Sequence, residues 1–256
     1  MTMAQSPVFL GKNRIRLSEV SSTNDFLQDL LSKTSPIEGT VISADSQLQG
    51  RGQLGAKWFS DSYKNLTFSV YLEPVFLAAS ELFYLSKMSS IAIVIALQRL
   101  YPKEKFLIKW PNDIYHENKK IAGILIENAL QNDHVKHAIL GIGLNVNTEN
   151  ISTHIPAATS LYDIFHRVQD REYVLDQILT CIEELYSSLK TKDFTTIDNL
   201  YFDNLLYFNQ MCWFELQDGQ QKQGKVVDIE KSGLLVVEWP CLERESFDVK
   251  QLKWIF

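Results

Sequence analysis

Four stretches of this chain combine residue types that could handle phosphate or carboxylate groups. The first is Gly50-Arg51-Gly52-Gln53-Leu54-Gly55, followed by Lys57 and Trp58. Its glycines let backbone N–H groups approach an anion closely, and Arg51 and Lys57 add positive charge. The stretch matches G-x-G-x-x-G, yet Ala56 to Asp61 opens no helix and another strand follows, so the βαβ unit of a dinucleotide fold is missing. A P-loop fails as well, because Lys and Ser/Thr do not follow Gly55 directly. Alone, the stretch is as readily a flexible surface turn. The second is Lys109-Trp110-Pro111-Asn112-Asp113. Pro111 biases Trp110 toward an extended conformation and so fixes how Lys109 and Asp113 leave the preceding strand. A lysine suits a phosphate as a point charge, and an aspartate suits Mg²⁺ or a ribose hydroxyl. In isolation, a strand-ending turn with a solvated lysine and a buried tryptophan is the simpler reading.

The third stretch is Lys119-Lys120-Ile121-Ala122-Gly123 and the fourth Gly141-Ile142-Gly143-Leu144-Asn145-Val146-Asn147. Lysines at a hairpin are ordinary surface charges, but glycine inside an apolar strand marks close approach by a ligand or another backbone. His134 and His137 have metal-ligand spacing but lie in a polar stretch with Asn132 and Asp133, which reads as a solvated turn. No dedicated metal site is expected. H-E-x-x-H and G-x-S-x-G are absent, and the cysteines have no local catalytic support.

The elements around these stretches follow from periodicity. Ile15 to Val20 reads as a strand, and a helix begins near Thr23 or Asn24, after several N-cap candidates and with Phe26, Leu27, Leu30 and Leu31 at helical spacing. Gly39 to Ala44 is a strand that runs into the loop Gln47 to Trp58. Leu66 to Leu72 alternates as a strand, and Ala78 to Leu100 is a long buried helix. Phe106 to Ile108, Ile114-Tyr115, Ile121 to Ile126 and Ala138 to Leu144 read as strands, the middle two as a hairpin about His116 to Asn118. Helices follow at Arg171 to Lys190 and Ile197 to Leu206. Met211 to Leu216, Gly224 to Ile229, Leu234 to Trp239 and Ser246 to Val249 are short strands divided by Asp218-Gly219 and Ser232-Gly233, a pattern for a small β-barrel. The expected fold is α+β: a mixed, mostly antiparallel sheet with flanking helices on one side, then an SH3-like barrel. The expected division is 1–208 and 209–256.

The chain has 256 residues, 45% of them hydrophobic and 22% charged, which excludes a disordered protein. Its net charge of −6 argues against a general nucleic-acid coat or a polybasic membrane binder. Cys181, Cys212 and Cys241 form no CxxC pair and read as buried or partly buried thiols of a reducing cytoplasm. Met1 to Leu10 lacks the pattern of a signal peptide, and the longest apolar run, Ile91 to Leu97, is far short of the ~20 residues that span a bilayer. A cytoplasmic protein is expected.

Taken together and in order, the pieces resemble the biotin protein ligases, over about Ser21 to Asn147 and more weakly in the C-terminal barrel. They are Ser22-Thr23-Asn24, Gln47, Gly50-Arg51-Gly52 with Gly55 and Trp58, Lys109 to Asp113, Lys120 to Gly123, and Gly141 to Asn145. The resemblance implies a catalytic domain like that of class II aminoacyl-tRNA synthetases. It also implies a reaction in which biotin and MgATP give biotinyl-5′-AMP, whose acyl group passes to a lysine of a biotin carboxyl carrier protein. Two anions must meet, so cations must offset their repulsion. Lys120, Arg51 and Lys109 are the implied catalytic residues. Ser22, Thr23, Asn24, Gln47, Gly50, Arg51, Lys120, Gly123 and Gly141 are implied at the biotin site, the glycines at 123 and 141 leaving room for it. Arg51, Gly52, Trp58, Lys109, Asn112 and Asn145 are implied at the nucleotide, with Asn112 supporting the loop and Trp58 closing over it. Asp113 has an acceptor-lysine or Mg²⁺-linked role.

Family loops often carry further arginines where this chain has Gln53, Leu54 and Ala56. The expectation is a looser hold on phosphate charge and on the adenylate, overturned if release is no faster than from a Gln53→Arg variant. Only about twenty residues precede Ser22, too few for the DNA-binding domain of some relatives, so no repressor role and no DNA or membrane partner is expected. A homodimer is one state the resemblance allows. The rivals are a lipoate or octanoate ligase of the same fold, disfavoured by the Gly50-to-Trp58 loop, and a biotin sensor without chemistry, disfavoured by three phosphate-suited cations.

Overall fold

A computed structural model of the chain describes residues 7–255; the first six residues of the segment read for a signal peptide lie outside it. The chain opens with β1 (Arg14–Val20), α1 (Thr23–Lys33) and β2 (Val41–Gln47). Ser22 caps α1 by accepting from the Asp25 N–H, and Asp25 sits favourably in the first turn. β3 (Leu66–Leu72), α2 (Phe83–Leu100), β4 (Phe106–Lys109), β5 (Asp113–His116), β6 (Lys119–Gln131) and β7 (His134–Leu144) follow. The seven strands form one sheet in the order β1-β2-β3-β7-β6-β5-β4. β1 and β2 are parallel and every other pair is antiparallel, so the sheet is mixed and mostly antiparallel, as expected.

β3 is buried along its whole length because both faces of the sheet are covered. Val41, Val70 and Leu140 point into the main core with α2, α4 (Arg171–Lys190) and α5 (Phe194–Asp203). Their neighbours Ile42, Tyr71 and Ile139 point the other way and enclose Leu27 of α1. The helices therefore flank the sheet on both sides, not on one side. The period-2 alternation of side chains forces this split once β2, β3 and β7 are central.

α2 is apolar all round and packs against α4 and α5. The stretch Ala79–Leu100 is long and apolar enough by composition to cross a membrane, which a count of consecutive apolar residues missed. Most of it is buried in the core, with Leu85, Met88, Ile91 and Leu97 fully so. α4 starts and stops where its periodicity says, with Asp170 capping Glu172 and Tyr173. α5 begins three residues earlier than expected because Asp193 caps it. The β6–β7 hairpin is longer than its apolar runs, so His134 and His137 are strand residues and not a solvated turn. His137 is half-buried beside Tyr71, its pKa lowered chiefly by burial.

A short α3 (Leu161–Phe165), capped by Ser160, escaped the sequence reading. So did the last strand. β8 (Met211–Leu216), β9 (Gln221–Ile229), β10 (Leu235–Glu238), β11 (Arg244–Phe247) and β12 (Leu252–Ile255) form a second antiparallel sheet in the order β11-β10-β9-β8-β12. The two sheets share one core, in which Ile108 and Trp110 join Phe214, Val237 and Trp254. Trp110 Nε1 donates to Gly233 O at 2.9 Å. Cys181 is buried and Cys212 half-buried, both thiols pushed up to about 11 by burial. Cys241 is exposed, contrary to expectation, because it lies in the turn between β10 and β11.

Candidate active site

The four sequence stretches converge on one cavity of about 430 Å³. Its floor is the middle of the large sheet, where Gly123 on β6 and Gly141 and Gly143 on β7 stand. The N-terminus of α1, the end of β2, the glycine-rich loop and the β4–β5 turn form its walls. Ser22, Thr23, Asn24, Gln47, Arg51, Gly52, Trp58, Lys109, Asn112, Asp113, Lys120, Gly123 and Gly141 all line it. Two expected residues do not. Gly50 is buried behind the loop, where an added Cβ would lie 2.4 Å from Trp58 O and 2.6 Å from Gln47 Nε2. Asn145 is 4% exposed and faces inward, its Nδ2 donating to Thr159 O at 3.0 Å. Its Oδ1 is buried with no hydrogen-bond partner among the described residues.

One side of the cavity is a buried polar network. The Thr23 N–H and hydroxyl point to Gln47 Oε1 at 3.0 and 3.3 Å. The Ser69 hydroxyl donates to Asn24 Oδ1 at 2.6 Å and lies 2.7 Å from Thr23 Oγ1. Asn24 Nδ2 donates to Glu127 Oε2 at 2.7 Å. Glu127 also accepts from Arg51 Nη2 at 3.0 and 3.1 Å, and Arg51 pairs with Asp25. Thr23, Asn24 and Ser69 are nearly inaccessible, so each polar atom needs such a partner. Ser69 and Glu127 were not foreseen. Glu127 ends an apolar run on β6, and an acid in that position is the signal that could have found it.

Two glycines are required here by close approach. An added Cβ at Gly141 would lie 2.3 Å from Asn24 Oδ1, and one at Gly143 would lie 2.3 Å from the Trp58 indole. Gly141 lines the cavity, and Asn24 lies directly over it. Trp58 lies across the β6–β7 floor, its Nε1 buried with no hydrogen-bond partner among the described residues and Lys120 Nζ 5.6 Å from its ring centre.

The other side is cationic. Arg51, Lys57, Lys109, Lys120, Lys250 and Lys253 line the cavity and, among the described residues, Asp113 is the one carboxylate lining it with them, Asp25 and Glu127 lying behind Arg51. Lys120 Nζ is 2.6 Å from Asp113 Oδ1. Lys120 is anchored by its backbone, its N–H donating to Ala157 O and its carbonyl accepting from Thr159. The Lys109 ammonium is 3.3 Å from the Tyr115 hydroxyl and lies over the Tyr115 and Trp254 rings. Burial lowers the Lys109 pKa, Lys120 and Lys253 lower it further, and Asp113 opposes them. Burial, with Asp113, pushes the Tyr115 hydroxyl up to about 12. Asn112 braces the turn: its N-side neighbour peptide Trp110–Pro111 is cis, its Nδ2 donates to Ile124 O, and Ile124 N–H donates back to Asn112 O. Lys250, Lys253 and Trp254 arrive with β12 and the turn before it, and the alternation Leu252-Lys253-Trp254-Ile255 was the unread signal. Among the described residues, no three His, Cys, Asp or Glu side chains gather to hold a metal.

A cluster of cations opposite a buried polar pocket can neutralise a polyphosphate while an uncharged polar ligand is hydrogen-bonded beside it. Comparison with known proteins agrees with that chemistry. The model of the biotin/lipoate A/B protein ligase family matches residues 17–145. The bifunctional ligase/repressor BirA of Bacillus subtilis is 31% identical over 234 residues, which are 90% of this chain and 70% of that protein. The biotin--[acetyl-CoA-carboxylase] ligase of Mycobacterium tuberculosis is 28% identical over 89% of this chain and 85% of its own length. Among solved structures, the biotin protein ligase of Aquifex aeolicus in complex with biotin and ATP superposes with a TM-score of 0.78 at 31% identity, covering 95% of this chain and 99% of that one. The cavity residues from Ser22 to Gly143 fall within the matched span, and the chain belongs to the biotin/lipoate A/B protein ligase family.

Proposed function

We propose that this chain activates biotin with MgATP to biotinyl-5′-AMP and transfers the biotinyl group to a lysine of a biotin carboxyl carrier protein. The observation that carries this reading is the pairing of six cavity cations with the buried Gln47–Thr23–Ser69–Asn24 network in a protein whose net charge is −6. A biotin-binding protein without chemistry needs only the polar half.

In the first step a biotin carboxylate oxygen bonds to the α-phosphorus, and the bond to the β-phosphate breaks as pyrophosphate leaves. Lys120, at the head of β6, lines the cavity and would offset charge on both reacting anions. Lys109, Arg51 and Gly52 would face the phosphates, with Lys57, Lys250 and Lys253 adding to the field. Arg51 is held by Asp25 and Glu127, so it must be shared with or released to a phosphate. Thr23, Asn24 and Gln47 would exchange their mutual hydrogen bonds for the ureido group. In the second step the acceptor's neutral amine attacks the acyl carbon, the bond from that carbon to the AMP oxygen breaks, and the amine's surplus proton leaves to solvent. Asp113, already on Lys120, is the carboxylate available to receive the acceptor ammonium or to face substrate-borne Mg²⁺.

We assign residues 1–208 to catalysis and 209–256 to a C-terminal unit that completes the cavity through Lys250, Lys253 and Trp254. We place the reaction in the cytoplasm, where ATP is available. The test is exchange of labelled pyrophosphate into ATP, run with biotin, lipoate and octanoate. Exchange with biotin alone supports the reading. Exchange with lipoate or octanoate instead replaces the substrate, and saturable biotin binding with no exchange leaves a sensor.

A further inference from the structure

The glycine-rich loop and the C-terminal sheet are joined by a hydrogen bond spanning most of the chain. Inside the loop, Gly52 N–H donates to Ala56 O at 2.7 Å and Ala56 N–H to Gln53 O at 3.1 Å, so the tip is a closed turn. Leu54 at that tip is left-handed (φ 52°, ψ 40°) and its side chain is exposed. A non-glycine residue stays in that region only where its surroundings hold it. Lys250 Nζ donates to Leu54 O at 3.1 Å, from a position 196 residues later. Lys250 is itself left-handed, at φ 70°, in the turn that leads into β12. It lines the cavity beside Lys253.

The loop's cations explain why such a tie would matter. Gln53, Leu54 and Ala56 carry no charge, and Arg51 is occupied by Asp25 and Glu127. Within the tip itself, residues 53–56, an anion in the cavity therefore meets no cation, and Lys57 stands only at the loop's far end. We propose that Lys250 is a positioning residue that latches the Gly50–Trp58 loop onto the cavity from the C-terminal sheet and thereby retains the acyl-adenylate between the two steps. The retained species rests on the function proposed above; the latch itself does not. With the latch made, Trp58 stays against Gly143, and the loop is tied to the C-terminal sheet at the edge of the cavity.

Two variants isolate the contact. Lys250→Met keeps the apolar stem and removes the donors, and Lys250→Arg keeps a charged donor. In the substrate-free protein, chymotrypsin cleavage within Leu54 to Phe59 reads the opening of the loop, because cleavage follows the open population when opening is fast. Lys250→Met should be cut about two- to tenfold faster than the wild type, the effect of one net hydrogen bond. Lys250→Arg should restore the wild-type rate. The release of biotinyl-5′-AMP from the preformed complex should accelerate by a similar factor in the Met variant and return to the wild-type rate in Lys250→Arg. Equal cleavage and equal release in Lys250→Met and the wild type overturn the latch, as does a Met effect that Arg fails to rescue. If the wild type forms no adenylate from biotin, the proposed function falls, and the cleavage arm alone decides whether Lys250 holds the loop.

Discussion

Lys120 illustrates how little of a cavity residue's position depends on its side chain. Its backbone is fixed on both sides by Ala157 and Thr159, and its ammonium is left to Asp113 and the cavity. Lys120→Ala should keep the fold, seen as an unchanged melting temperature, and lose pyrophosphate exchange by about a hundredfold or more, the usual loss for a preorganised charge-stabilising group. Near-normal exchange would remove Lys120 from the chemistry. Lys109 makes a prediction about pH. An anionic substrate prefers the charged lysine, so its binding is strongest below the folded pKa and weakens as pH rises through it. That pKa is depressed by burial, Lys120 and Lys253, so KM for ATP should start to rise at a lower pH than an ordinary lysine would set. Lys109→Arg, which keeps its charge, should move that rise to higher pH; identical profiles would exclude Lys109. Gly141→Ala places a methyl 2.3 Å from Asn24 Oδ1. Displacing Asn24 unmakes its bond to Ser69, and biotin affinity measured by calorimetry should fall about ten- to a hundredfold.

At the scale of elements, the parallel pair β1–β2 is tied to α4 by charge. Asp45 on β2 accepts from Arg16 on β1 at 2.8 Å and from Arg171 at the start of α4 at 3.0 Å. These two guanidiniums, Arg16 first, hold the Asp45 carboxyl below its usual range. A carboxylate with a depressed folded pKa contributes stability above its unfolded pKa and loses that contribution as pH falls through the folded one. Asp45→Asn should therefore cost about 1–2 kcal/mol at neutral pH, discounted for the half-exposed Arg16. The gap from wild type should close in acid, followed by urea denaturation across pH. Residues 8–10 are also held to α4, where Glu183 accepts from the N–H groups of Val8, Phe9 and Leu10 at 2.8 to 2.9 Å.

At the scale of the whole molecule, the two sheets meet at Trp110 and Gly233. Gly233 has φ 95°, and an added Cβ would lie 2.6 Å from the Phe83 ring on α2. Gly233→Ala combines backbone strain with a clash and should lower stability by about 1–3 kcal/mol. For a chain of this size that is a melting shift of roughly 3–10 °C. Because the core is continuous across both sheets, the variant should unfold in one transition; a separate early transition of the C-terminal sheet would show that the joint is not cooperative. Gln53 lines the cavity from the loop, and Gln53→Arg would add a cation facing it. The release of biotinyl-5′-AMP should slow severalfold in that variant, measured by gel filtration of the preformed complex.

The amino-acid order by itself determined the glycine-rich loop, the Lys109-to-Asp113 turn, the apolar strands beneath them and the α1 cap, because each is a local pattern of spacing, backbone freedom or side-chain alternation. It also determined the exact span of α4, whose periodicity and cap agree. Long-range packing decided the rest. Which face of β2 and β3 carries α1 depends on the strand order, and no local signal encodes that order. The space over Gly141 was legible as space, but its occupant, Asn24, comes from a helix more than a hundred residues away. Lys250, Lys253 and Trp254 become cavity residues only because β12 closes the second sheet against Trp110. Asn145 shows the converse: a residue inside a matched motif is turned away from the cavity by its bond to Thr159. Periodicity reports which face of an element is buried, whereas the partner on that face is chosen by the summed burial of the whole chain.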